Sequence, residues 1–201
     1  MGKNKVIKEI ISWVLIICGA FLAATIINSQ VFEKVIVQQS SMDTTLFEGQ
    51  HLIVNKLSYN FNEPKSGDII IFQKYEKMGT LINDIKNSIV NLPTLFVKEN
   101  NSKKNNYLVK RVIGVEGDEV NIIDGSVYIN GEKLEESYTK GVTEEKAIEL
   151  PIIVGKDEVF VMGDNREVST DSRELGPIKI NQIAGKVIFR VYPFNQMGKI
   201  K

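Results

Sequence analysis

Between Ile10 and Ile27 the sequence reads IISWVLIICGAFLAATII, eighteen residues without a charge. As a helix rising about 1.5 Å per residue, this run is roughly 27 Å long, close to the hydrocarbon thickness of a bilayer. A secretory leader would carry an apolar region of about 7 to 15 residues ending in a small-x-small site. The run here is longer, and its end offers a poor cleavage site. The sequence therefore predicts a retained membrane anchor over residues 10–28. Lys3, Lys5 and Lys8 precede it, whereas Glu33 and Lys34 follow at near balance. The positive-inside rule then leaves residues 1–9 in the cytoplasm and residues 29–201 outside the cell membrane.

The remaining chain, about 170 residues, is long enough for one sizeable core. Lys and Arg number 25, matched by 25 Asp and Glu. Nucleic acid is not an expected partner, since no global basic field exists to attract phosphates. There is one cysteine, Cys18, and one histidine, His51. A zinc site needs three or four suitable ligands, so no metal site is expected, and an intrachain disulfide is impossible. A lone histidine is more often a packing residue than a catalytic one.

Beyond the anchor the chain reads as strands. VIVQ (35–38), HLIVNKL (51–57), GDIIIFQ (67–73), YLVKRVIGV (107–115) and DEVNIID (118–124) are β-branched and apolar, bounded by Gly, Asp and Asn. SVYINGEKL (126–134) contains Asn130-Gly131, a strong hairpin signal. EVFVMG (158–163) and IAGKVIFRVYP (183–193) complete the set. The expected fold is mainly β, an antiparallel β domain behind a single helix. Residues 74–106 break the pattern as an insert. Leu81, Ile82, Ile85, Ile89 and Val90 recur at helical spacing before the polar tract KENNSKKNN. The insert's aliphatic stripe suits contact with membrane lipids or substrate, and equally suits packing on the β core.

Lys110 is the unusual residue. Alternation along its strand groups it with Leu108 and Val112, while Arg111 faces the other way with Val109. A lysine between aliphatic neighbours loses hydration, and desolvation is what turns an ammonium into a neutral base. The stretch MGDNREVSTDSRELG (162–176) then crowds Asp164, Asn165, Arg166, Ser169, Asp171, Ser172 and Arg173 into ten positions. That density fits either a solvated loop of Asx turns or a rigid hydrogen-bonded platform beside a site. Two adjacent serines, Ser40 and Ser41, stand before Met42 with no histidine near them in sequence.

Together these segments resemble the bacterial type I signal peptidases, membrane-anchored serine proteases that remove signal peptides from exported proteins. SSMDTTL (40–46) is similar to the family's Ser-Met box, SGDIIIF (66–72) to its Gly-Asp box and YLVKRVIGVEGD (107–118) to its Lys-Arg box. MGDNREVSTDSRELG is similar to its Gly-Asp-Asn-Arg box, and the four occur in family order. The single anchor and compact size resemble the Gram-positive form. The resemblance implies a β fold shared with self-cleaving repressors, with Ser41 as nucleophile and Lys110 as general base. It implies that Ser169 orients the lysine amine and that Arg111, Asp164, Asp171 and Arg173 form supporting ion pairs. Val37, Met42, Leu46, Leu108 and Val109 match positions lining pockets for small substrate side chains. No metal or cofactor is implied, and exported preproteins are the implied partners.

The departures are specific. Thr44, Glu116 and Ser137 stand where the family commonly has proline, and the insert is longer than in simple members. Gln39 stands where the family commonly has Ser, Thr or Gly, and where in some members the hydroxyl assists the Ser41 backbone N–H in the oxyanion hole; its amide either fills that role or points to solvent. A non-catalytic relative that assists pilus assembly is the alternative function. Such factors lack the serine or lysine, and this chain has both. An autoproteolytic repressor would carry a DNA-binding half, which is missing.

Overall fold

The computed structural model describes residues 2–74 and 107–200, with the side chains at 2–6 and 22–30 left aside. Of the expected insert only Lys74 falls among the described residues; its amphipathic helix lies outside them. Helix α1 (Gly2–Val31) runs directly into β1 (Phe32–Ile36) with no linker. The expected anchor lies within α1, and its side chains are described only as far as Phe21. Among the described residues, no helix is long and apolar enough to cross a membrane.

The body of the chain is two antiparallel sheets. The larger has the order β1-β2-β11-β3-β4-β9-β10 and uses β2 (His51–Asn55), β3 (Ile69–Gln73), β4 (Tyr107–Gly114), β9 (Glu158–Met162), β10 (Ile178–Lys179) and β11 (Ile183–Tyr192). A short β12 (Gly198–Lys199) adds to β11. The smaller sheet has the order β7-β6-β5-β8, from β5 (Glu119–Ile123), β6 (Ser126–Ile129), β7 (Glu132–Lys133) and β8 (Ile152–Ile153). Helices α2 (Ser58–Phe61) and α3 (Ser172–Leu175) are single turns.

Burial explains which strands carry which patterns. β2 alternates half-buried and buried residues, as a strand covered on one face should. β3 is apolar without alternation, and Ile69, Ile70, Ile71 and Phe72 are all buried. It lies between β11 and β4, with packing on both faces. Ile69 and Ile71 enter one cluster with Val37, Met42, Leu46 and Leu52, while Ile70 and Phe72 enter another with Val112, Val159 and Val161. A third cluster around Val120, Val127 and Phe160 joins the smaller sheet to the larger.

Two hairpins depend on left-handed backbone. Asp124-Gly125 (φ 49° and 74°) joins β5 to β6, and Asn130-Gly131 (φ 53° and 81°) joins β6 to β7. Asn and Asp tolerate positive φ, and glycine takes it without steric cost, which is why these dipeptides make two-residue turns.

The strands expected from sequence are present with trimmed ends. One is displaced: β1 covers 32–36, so Val37 and Gln38 have left the strand. Val37 remains tied to the next loop through its N–H to Gln50 O and its carbonyl to Gly49 N–H, both 2.9 Å. Because Phe72 is fully buried in the doubly covered strand, Phe72→Ala should cost about 3 to 5 kcal/mol. Urea unfolding of the variant checks this; a loss below about 1 kcal/mol would contradict the packing described.

Candidate active site

The two serines of the Ser-Ser-Met turn have different surroundings. Ser40–Met42 form one turn of 3-10 helix, entered from Gln39 in extended conformation. Met42 and Leu46 sink into the core beneath, at 1% and 0% exposure. Ser41 is drawn down with them to 9% exposure, whereas Ser40 is exposed. Asn165 holds the turn from the far side. Its N–H donates to Ser41 O at 3.1 Å, and its Nδ2 donates to Ser40 O at 3.2 Å.

Lys110 reaches the same point from β4. Its cross-strand partner on β3 is Ile70, and it is 1% exposed. Its Nζ donates to Ser41 Oγ at 2.6 Å. Burial lowers the lysine from 10.5 to about 8, against the pull of the Asp171 and Asp164 carboxylates. The cationic Arg173 and Lys146 push it the same way as burial. The nearby carboxylates fail to restore the usual value because each is already engaged by an arginine.

Arg111 forms a two-point pair with Asp164, Nε to Oδ1 and Nη2 to Oδ2, both 2.9 Å. It also donates to Gly67 O, and its guanidinium lies 3.9 Å above the Tyr138 ring. Thr45 Oγ1 donates to the same Asp164 carboxylate. Arg173 pairs likewise with Asp171 through Nε and Nη2, both 2.9 Å, and both side chains are fully buried. Burial alone would raise the Asp171 carboxyl, but the hydrogen bonds and charge of Arg173 and the Gly163 N–H hold it below its ordinary value. The polar platform is thus rigid and dry, unlike a solvated loop.

Ser169 is buried beside Asp171, and its hydroxyl helps to hold that carboxyl low although the two are not well aligned as a hydrogen bond. The expected hydrogen bond to the lysine amine is not made here, where Lys110 Nζ is engaged with Ser41 Oγ. Gly163 lets this packing occur. A Cβ at that position would stand 2.2 Å from Ser169 Oγ and 2.5 Å from Ser41 O, so no larger residue fits without displacing both.

Ser41 and Lys110 open into a cleft of about 550 Å³ that Gln39, Glu48, Leu108, Val168 and Thr170 also line. Of the residues expected to line pockets, Leu108 borders this cleft. Val37, Met42 and Leu46 belong to the core beneath it, and Val109 packs against that core. Gln39 is exposed at the rim. His51 is elsewhere, its ring 5.0 Å from that of Tyr192. Among the described residues no group of His, Cys, Asp and Glu could hold a metal ion.

Several residues at the site carry no signal of their own in the sequence. Asn165 and Thr45 fall within the recognised boxes, so their neighbours gave a signal. Tyr138 and Glu136 fall outside them. Glu136 pairs with the buried Arg166, which also donates to Thr143 Oγ1 at 2.7 Å. They belong to a strap, residues 135–150, that crosses the platform. It is fixed by Lys140 N–H to Asp164 O, Arg166 N–H to Lys140 O and Ala147 N–H to Arg173 O.

Comparison with known proteins identifies the family. The family described as signal peptidase, peptidase S26, matches residues 10–192. Signal peptidase IB of Staphylococcus aureus strain COL is 31% identical over 205 residues, 94% of this chain and 93% of that protein. Signal peptidase I P of Bacillus subtilis subsp. natto is 35% identical over 213 residues, covering both chains in full. The crystal structure of a signal peptidase I from Enterococcus faecalis V583 is 25% identical, with a TM-score of 0.39 over 62% of this chain and 97% of that one. With the match extending over nearly the whole chain, the protein belongs to the peptidase S26 family of bacterial type I signal peptidases, and is a serine endopeptidase.

Proposed function

We propose that the chain removes N-terminal signal peptides from exported preproteins by a Ser41–Lys110 dyad acting through an acyl-enzyme. The carrying observation is the buried Lys110 amine, 2.6 Å from Ser41 Oγ on the floor of an open cleft. A neutral amine rotates its lone pair toward the hydroxyl and takes its proton. Ser41 Oγ then attacks the scissile carbonyl, and the lysine returns the proton to the leaving amine. Water, deprotonated by the same amine, hydrolyses the ester and frees the serine. Arg111, Asp164, Asp171 and Arg173 keep the walls rigid, and Ser169 is the residue that receives the lysine amine when it swings from the serine. Leu108 borders the subsites for small side chains, with Val37, Met42, Leu46 and Val109 forming their floor.

The oxyanion is received by the Ser41 N–H and the Gln39 side-chain amide, which lies on the cleft rim. The domain, residues 29–201, works at the outer face of the cell membrane, and residues 10–28 anchor it with residues 1–9 in the cytoplasm. Support comes from the uncharged run in sequence, from the exposure of its side chains over Ile10–Phe21, and from the direct passage of α1 into β1. Membrane lipids surround that helix.

Purified protein should cleave a preprotein bearing an Ala-x-Ala site. Ser41→Ala and Lys110→Ala should each abolish cleavage without unfolding the domain, because nucleophile and base act as one unit. Ser40→Ala should stay within a few-fold of the parent. An inactive Ser40→Ala with an active Ser41→Ala would overturn the assignment.

The pH profile follows from the lysine. Lys110 is a base only after losing its proton, so kcat/KM should rise about tenfold per pH unit below 8 and level above it. A flat profile from pH 6 to 9, with chemistry rate-limiting, would exclude lysine as the base. For Gln39, loss of an oxyanion donor typically lowers kcat by about a hundredfold or more. Gln39→Ala should show that loss with little change in KM; an unchanged rate would remove Gln39 from the mechanism.

A further inference from the structure

The Ser169 hydroxyl lies beside the Asp171 carboxylate but makes no well-aligned hydrogen bond to it, so its location depends chiefly on how its backbone is held. The holder comes from the strap. Lys146 Nζ donates to Ser169 O at 2.6 Å and to Glu174 Oε1 at 2.7 Å, and its side chain is 22% exposed. One residue on, the Ala147 N–H bonds Arg173 O, and Arg173 Nη1 bonds Glu144 O at 3.1 Å. The strap therefore grips the platform on both sides of Lys146. It brings a cation to the back of the loop whose front faces Lys110.

We propose that Lys146 is a positioning residue of the dyad, fixing Ser169 through its carbonyl and supplying a positive charge that favours the neutral form of Lys110. The inference rests on the Ser41–Lys110 reading above. The charges acting on Lys110 are Asp171, Asp164, Arg173 and Lys146, and Ser41 is its hydrogen-bond partner. Asp164 and Asp171 are each bound by an arginine at two points, and Glu174 bonds Lys146 itself. Removing the Lys146 cation leaves the carboxylates less opposed, which makes the Lys110 proton harder to remove. Freeing the Ser169 carbonyl loosens the wall behind the amine and admits water, which acts in the same direction.

The test is the pH dependence of kcat/KM on an Ala-x-Ala preprotein, using full-length protein in detergent. Lys146→Met should move the acid limb upward by about half a unit to one unit. Below the limb that is a loss of roughly threefold to tenfold, shrinking toward pH 9 to 10. Lys146→Arg, which keeps charge and donors, should hold the parent profile. Lys146→Gln, which keeps a donor without the charge, should show the shifted limb with nearly full activity at high pH. It also serves if the methionine variant melts at a markedly lower temperature. An unshifted limb in both uncharged variants, or a loss equal at all pH values that arginine fails to rescue, would overturn the proposal. If the parent protein itself cleaves no preprotein, the signal-peptidase reading falls instead.

Discussion

Two guanidinium–carboxylate pairs, Arg111–Asp164 and Arg173–Asp171, lie almost wholly out of water. Removing such ions from water costs several kcal/mol each, and only near-complete hydrogen bonding offsets it. Here the bonding is nearly complete. Each carboxylate takes two parallel bonds from one arginine and a third from Thr45 or Gly163. The arginines direct other donors to the carbonyls of Gly67, Glu144 and Arg166. A pair left with one member would expose the structure to a penalty of about 3 to 5 kcal/mol, so the loop from Gly163 to Arg173 has one low-energy shape. That shape sets where Asn165 meets the serine turn. Because each pair is nearly neutral as a unit, burial decides the state of the lysine between them.

Two of the departures from the family pattern are absorbed by hydrogen bonds that proline could not make. Thr44 Oγ1 donates to Tyr138 O at 2.8 Å, tying the serine turn to the strap. Glu116 accepts the Asp157 N–H at 3.0 Å, joining the end of β4 to the turn before β9. Proline would have stiffened each turn locally by fixing φ. The side-chain bonds stiffen by linking distant segments instead.

Much of the fold could be read from the chain because its central strands announce themselves. The unbroken IIIF of β3 demanded cover on both faces, and Asn130-Gly131 specified a turn that only left-handed backbone can make. Ser41 and Lys110 were legible through the motifs around them, since 69 positions separate the two residues whose side chains touch. The strap was not legible. Residues 135–150 have no apolar period, and their structure comes from hydrogen bonds to residues about twenty to thirty positions later. Strands of two residues, such as β8 and β10, are shorter than any alternation can signal. The depth at which Val37, Met42 and Leu46 are buried was not legible either. A sequence position beside a nucleophile does not say which way the side chain points, and these three point into the core.

The buried amine has a consequence for the fold itself, because its proton belongs differently to the folded and unfolded chains. Unfolded, Lys110 titrates near 10.5; folded, near 8. Below pH 8 both states hold the proton, and the native state bears the full cost of an enclosed ammonium, about 3 kcal/mol at 1.36 kcal/mol per unit of displacement. Between 8 and 10.5 the folded chain releases a proton that the unfolded chain keeps, so stability rises with pH, and above 10.5 the cost from this group is gone. The domain is therefore least favoured by this residue in neutral and acidic surroundings. Titration of a single side chain thus tunes foldedness as well as turnover, and alkalinity that frees the base also relieves the scaffold holding it.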